Sequence, residues 1–248
     1  MDAENVILNL VRKSLSENSD FVYLPKTAFY NEGWLLRLAL EEFYNWPLKK
    51  LNPKDFGKSW LSEGLLQPPF KKEGSTHVDA IMGDYKKRPG TKAGLMLDKN
   101  AKRLIVFEAK LFSWFSKKVE NALNYNQVAR TVACITHLFC SGESQIDLSN
   151  FKNRLGLVLL LPKEVITGKE KELNEIICKC NIRDVINERI KSQDNLRTDS
   201  FKVLLPEVIN ELKIEVISWE AIIEELTWIT RYYDSCLRYN KKTKTMAN

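Results

Sequence analysis

Glu108 and Lys110 stand two residues apart at the end of Arg103-Leu-Ile-Val-Phe-Glu108-Ala-Lys110. The apolar residues before them read as a buried strand, and a carboxylate and an ammonium at its end are costly to desolvate unless they act together. Alternate residues of a strand share a face. Glu108 and Lys110 therefore point the same way, while Ala109 between them offers only a methyl and its backbone carbonyl. One edge of a sheet thus carries an oxygen ligand, a backbone oxygen and a cation side by side. Upstream, Thr76-His77-Val78-Asp79-Ala80-Ile81-Met82-Gly83 reads as a second strand with a carboxylate near its start. Pairing the two strands brings Asp79 beside Glu108.

The elements that must position these groups follow from periodicity. Residues 5–15 have helical spacing, and a stronger helix is expected over 30–44, where Trp34, Leu35, Leu38, Leu40 and Phe43 supply a buried stripe and Glu32 sits in the first turn. Residues 60–64 read as part of a loop-rich excursion framed by Asn52-Pro53 and Pro68-Pro69. Three strands are expected at 78–85, 94–97 and 104–109, forming an antiparallel meander with a polar turn at 98–102. A helix is expected over 119–139, then a strand at Leu155-Gly-Leu-Val-Leu-Leu-Leu161. Beyond it come a charged helical region at 170–191, a helix at 201–212, a strand at 213–217 and a helix capped by Ser218 that runs to about 233. Lys241-Lys242-Thr243-Lys244-Thr245 reads as a frayed basic tail. The expected class is α/β, a central mixed β-sheet flanked by helices. One domain spans 1–248, with a core at about 30–162 and a helix-strand-helix extension at about 163–240.

Composition narrows the functional classes. The longest apolar run stops at Pro162 and is far too short to span a bilayer, and Met1-Asp-Ala-Glu-Asn5 is acidic rather than a signal-peptide n-region, so a cytoplasmic protein without a membrane partner is expected. Five scattered cysteines form neither a disulfide framework nor a zinc set, and read as reduced, mostly buried thiols. The formal charge of +6 favours a polyanionic partner, and the loop containing Lys86, Lys87, Arg88 and Lys92 lies a few residues from the Asp79 strand. Asp98 and Asp84 compete with Asp79 for the role of partner to Glu108. Asp98 reads as a turn tip, which carries it away, so Asp79 is preferred. His77 is expected on the face away from Asp79, as a core or surface histidine, and His137 has no ligand partner at metal spacing. No P-loop, Gly-x-Ser-x-Gly or Gly-x-Gly-x-x-Gly element is present.

The order of these groups resembles the PD-(D/E)XK nuclease superfamily, the restriction-endonuclease-like fold. That pattern has a glutamate-bearing helix, an acidic residue at a strand start, an acid-x-lysine at the end of the next core strand, and a polar helix after it. Glu32, Asp79, Glu108-Ala109-Lys110 and Gln127 in Tyr125-Asn126-Gln127-Val128-Ala129-Arg130 occupy those places, and the resemblance covers about residues 30–140. It implies a metal-dependent nuclease that hydrolyses DNA phosphodiesters, of the restriction or defence type, with Mg²⁺ as cofactor and Mn²⁺ as a substitute. Asp79, Glu108, the Ala109 carbonyl and Glu32 would hold the metal, in keeping with the preference of hard cations for oxygen. Lys110 would steady the nucleophile and the transition-state charge, and Gln127 would bind water or backbone. Lys86, Lys87, Arg88, Lys92 and Arg130 would contact phosphates. RNA remains open as a substrate, and dimers are common in the family. The alternative is a catalytically inactive nucleic-acid-binding or scaffold protein on the same fold.

Overall fold

The computed structural model describes residues 5, 6, 31–74, 76–91, 94–116, 125–141, 146–192 and 195–245. Most of the expected helix over 5–15 lies outside them. Strands β1 (Trp60–Leu66), β2 (Thr76–Gly83), β5 (Leu104–Ala109), β6 (Leu155–Leu161) and β7 (Lys213–Ser218) form one sheet in the order β1-β2-β5-β6-β7. β2 pairs antiparallel with both β1 and β5, whereas β5, β6 and β7 are mutually parallel. The protein is therefore α/β with a mixed central sheet. Both faces are covered. Every residue of β5 and β6 is buried, as expected for strands between two helical layers.

Helix α1 (Glu32–Leu40) lies on one face. Asn31 starts it by accepting the N–H of Trp34 at 3.0 Å, and Leu35, Leu36, Leu38 and Ala39 are its buried side. Helices α7 (Trp219–Glu225) and α8 (Thr230–Thr245) share that face, over Ala80, Met82, Ile105, Phe107 and Ala109. The opposite face carries α2 (Gln127–Cys140), with α3 (Lys163–Gly168), α4 (Glu170–Ile177), α5 (Lys179–Ser192) and α6 (Ser200–Glu211) ranged around it over Val106, Leu157 and Leu159.

Several expectations change. The segment at 60–64 is an edge strand, because its alternating pattern pairs it with β2. The meander is replaced by direct β2–β5 pairing, and β3 (Tyr85–Lys87) and β4 (Leu95–Leu97) form a separate hairpin against the α2 side. Gly83 allows this departure: its φ is 130°, and a Cβ there would stand 2.3 Å from the carbonyl oxygen of Arg103. Gly83→Ala is expected to cost about 1–3 kcal/mol, read as a fall in Cm with unchanged m; an unshifted Cm would remove the strain argument. The helix expected from 119 begins at Gln127, since Asn126 is extended and accepts the N–H of Ala129 at 2.9 Å; residues 117–124 lie outside the described set. The region at 170–191 breaks at Cys178, which is also extended. The helix after Ser218 is interrupted at Leu226 before α8, and α8 continues through the expected frayed tail to Thr245.

β7 pairs with β6 over its whole length, so the carboxy-terminal half supplies a strand of the central sheet as well as helices. Buried Glu215 on β7 reaches back to the turn after α1, accepting the N–H groups of Lys49 at 3.0 Å and Lys50 at 2.6 Å. Cys178 and Cys180 are joined as a disulfide, contrary to the expected set of free thiols. Their two-residue separation across the α4–α5 break brings the side chains together. Cys134 and Cys236 are buried, and burial pushes each thiol up to about 12, so neither is a ready nucleophile. Among the described residues no helix is long and apolar enough to cross a membrane.

Candidate active site

β2 and β5 part company at the rung where the chemistry sits. Their last pair is Ala80 with Phe107, and the next rung would join Asp79 to Glu108. The Asp79 side chain reaches across instead, and its Oδ2 accepts the Ala109 N–H at 2.6 Å. A carboxylate thus substitutes for the missing strand backbone. Successive backbone groups of a strand face alternate neighbours, and the Lys110 N–H goes to Leu160 of β6 at 2.9 Å. The Ala109 N–H and carbonyl therefore both face the Asp79 side.

The side-chain alternation of β1 and β2 slips by one at the same rung. Thr76 and Val78 face α2, Ala80 and Met82 face α1, and Ile81 faces α2 again. Opposite Asp79 lies Glu63, whose φ of 55° is left-handed. Residues 77 and 79 are two apart, so regular alternation puts them on one face, which corrects the expectation that His77 alternates away from Asp79. His77 is exposed, with Nδ1 3.9 Å from Glu63, which also lies 3.7 Å from Arg37 on α1. The surface reading of His77 fits this placement.

Glu108 is the most enclosed member of the cluster, at 1% exposure. Gln127 Nε2 donates to its Oε2 at 2.7 Å and Thr131 Oγ1 to its Oε1 at 2.8 Å. Lys110 Nζ stands 3.8 Å from Asp79 Oδ2 and 4.0 Å from Glu108 Oε2, with Asp79 23% and Lys110 14% exposed. Burial, and then the charge of Asp79, push the Glu108 carboxyl up to about 8 against the pull of Lys110, Thr131 and Gln127. The Lys110 carbonyl accepts Trp219 Nε1 at 3.1 Å, so both backbone groups of this lysine are fixed. Its ammonium also lies 5.9 Å above the ring of Phe115, which is buried.

The remaining expected residues are distributed differently. Among the described residues no third Asp, Glu, His or Cys joins Asp79 and Glu108 in a group able to hold a metal, so Glu32 stands apart at the start of α1. Asp84 is spent on Arg103 Nε at 2.8 Å and the Lys102 N–H at 3.0 Å, and Asp98 accepts the N–H of Asn100 in its turn. Arg130 turns from the Gln127 face to the Gly74 carbonyl at 2.9 Å. Lys86 and Lys87 lie on β3, Arg88 is bonded to Gln67, and Lys92 falls outside the described residues. Thr131 was not anticipated, although its place four residues after Gln127 puts both on one helical face. Arg37 was also missed: its guanidinium is held by Ser62 at 2.9 Å, and burial lowers its pKa against the nearby carboxylates of Glu63 and Asp79.

Two carboxylates of unequal exposure, a backbone carbonyl on their side and an ammonium between them form a donor set of hard oxygens with a built-in cation. Asp79 Oδ1 has no protein partner among the described residues, and Glu108 is buried beside a like charge. A divalent cation fits both conditions. No family model, no curated protein and no solved structure matches this chain.

Proposed function

We propose that this chain is a cytoplasmic, metal-dependent nuclease of the PD-(D/E)XK type that hydrolyses DNA phosphodiesters. The observation that carries the reading is the position of Lys110 Nζ, 3.8 Å from Asp79 and 4.0 Å from buried Glu108, at the fork of β2 and β5. Mg²⁺, or Mn²⁺ in its place, supplies charge neutralisation and an acidified water when bound. Asp79, Glu108 and the Ala109 carbonyl are its protein oxygens. Among the described residues Glu32 does not join the pair in a three-carboxylate group, so water would complete the set. Gln127 and Thr131 hold the Glu108 carboxylate in one orientation. Lys110 lies where negative charge develops on the reacting phosphate and on the attacking oxygen. Lys86, Lys87 and Arg88 on the hairpin are the phosphate contacts of this reading, and a homodimer would double that surface.

A second reading, an inactive nucleic-acid-binding or scaffold protein, is favoured by one observation. Lys110 already stands within ion-pair distance of both carboxylates, as a purely structural cluster would require. Linear, circular and single-stranded DNA, and RNA, incubated with Mg²⁺, Mn²⁺ or chelator decide between them. Cleavage of DNA that stops in chelator supports the nuclease; binding without cleavage under every metal supports the second reading.

A further inference from the structure

Glu73 and Arg189 come from opposite halves of the chain and meet beside the candidate site. Arg189 on α5 donates through Nε at 2.9 Å and Nη2 at 2.8 Å to one oxygen of Glu73, in the loop before β2. The two side chains are only 7% and 4% exposed, and the other Glu73 oxygen, Oε2, is buried with no hydrogen-bond partner. A sealed ion pair with an unmatched oxygen gains little over apolar packing of the same volume. Its consequence is better sought in geometry.

The neighbours supply that consequence. The Arg189 guanidinium lies 5.5 Å from the ring centre of Phe70 and 5.8 Å from that of Tyr125, and the two rings meet edge to face at 6.2 Å. Tyr125 immediately precedes Asn126, the cap of α2, and Gln127, the partner of Glu108. One turn along, Arg130 donates to Gly74 of the same loop, and Cys134 Sγ lies 3.4 Å from Thr76 Oγ1 at the start of β2. The loop itself is tied to the carboxy-terminal half, the Lys71 N–H to Asn195 at 2.9 Å and the Arg197 N–H to Pro69 at 2.8 Å. Asp79 and Gln127 are thus each only a few residues from this one buried junction.

We propose that Glu73 and Arg189 are a positioning pair that sets the first turn of α2 against the start of β2, and so aligns Gln127 with Glu108 and Asp79 with Ala109. This makes the carboxy-terminal half a working part of the site. The effect on turnover rests on the nuclease reading, whereas the alignment does not.

The test compares wild type with Arg189→Met, Glu73→Gln and the conservative Arg189→Lys, by Mg²⁺-dependent turnover, DNA Kd in Ca²⁺, and amide exchange. For Arg189→Met and Glu73→Gln, turnover is expected to fall about tenfold or more, with Kd within about twofold and partial recovery in Arg189→Lys. Exchange at Ala129 and Arg130 should speed up about tenfold, while the amides of β6 stay unchanged. Should Arg189→Met fail to fold, Glu73→Gln, which keeps volume and an acceptor oxygen, carries the comparison. Wild-type exchange at Ala129 and Arg130, or an equal rise in β6, would overturn the positioning role. A wild type that cleaves nothing under any metal would sink the nuclease reading instead, and the exchange data would still decide the alignment.

Discussion

Lys110→Ala is expected to lower metal-dependent cleavage about a hundredfold or more, the size typical of losing one preorganised electrostatic group, while leaving DNA bound in Ca²⁺. The ammonium touches both carboxylates but is not itself an oxygen ligand, so metal should still bind. Asp79→Asn and Glu108→Ala remove hard anionic oxygens and should weaken Mg²⁺ affinity, Glu108→Ala the more because it also strands Gln127 and Thr131. His77→Ala, an exposed side chain with no contact to the cluster, should behave as wild type. Kinetics in Mg²⁺ and calorimetric Mg²⁺ binding across these four variants separate the roles. Equal turnover in wild type and Lys110→Ala would reduce the cluster to a structural ion pair.

Glu108 makes the metal-free protein sensitive to alkali. Its folded-state pKa is raised to about 8 from 4.5, so between those values the folded state holds a proton that the unfolded chain has lost. Stability then falls as pH rises through that window, and the loss is complete above about pH 8. Glu108→Gln abolishes this dependence. In chelator the variant should gain on wild type between pH 5.5 and 8.5 by on the order of 1–4 kcal/mol. Added Mg²⁺ should stabilise wild type more at pH 8.5 than at pH 5.5, since only the carboxylate form attracts it. Denaturant melts at the two pH values give the result directly, and parallel pH curves for wild type and Glu108→Gln would remove Glu108 as the titrating group.

The parts of this arrangement that could be read from the sequence are those governed by local periodicity. β6 coincides with the apolar run at Leu155–Leu161, and the shared face of Glu108 and Lys110 follows from two-residue alternation. The choice of Asp79 over Asp98 rested on turn chemistry, and Asp98 does cap its own turn. What escaped depends on contacts distant in sequence. β1 reads as loop because Asn52-Pro53 and Pro68-Pro69 frame it, and only pairing with β2 reveals the strand. Thr131 looked like an ordinary helical residue until Glu108 was placed beneath it. Glu32 satisfied the linear order of the resemblance, but a helix start can obey that order without reaching the pair. The link from Arg189 to Glu73 crosses more than a hundred residues, a separation no short pattern can encode.

The left-handed Glu63 has one more effect, on how copies of the chain meet. β1 is an outer strand of the sheet, and a long, flat outer strand offers its free backbone groups to any passing strand. Here the face slip at Glu63 divides it into Trp60–Ser62 and Gly64–Leu66, while Leu65 is bridged by Gly94. Neither remnant offers a continuous flat ladder for recruiting another chain. The same kink that lies opposite Asp79 thus guards this edge of the sheet against edge-to-edge aggregation.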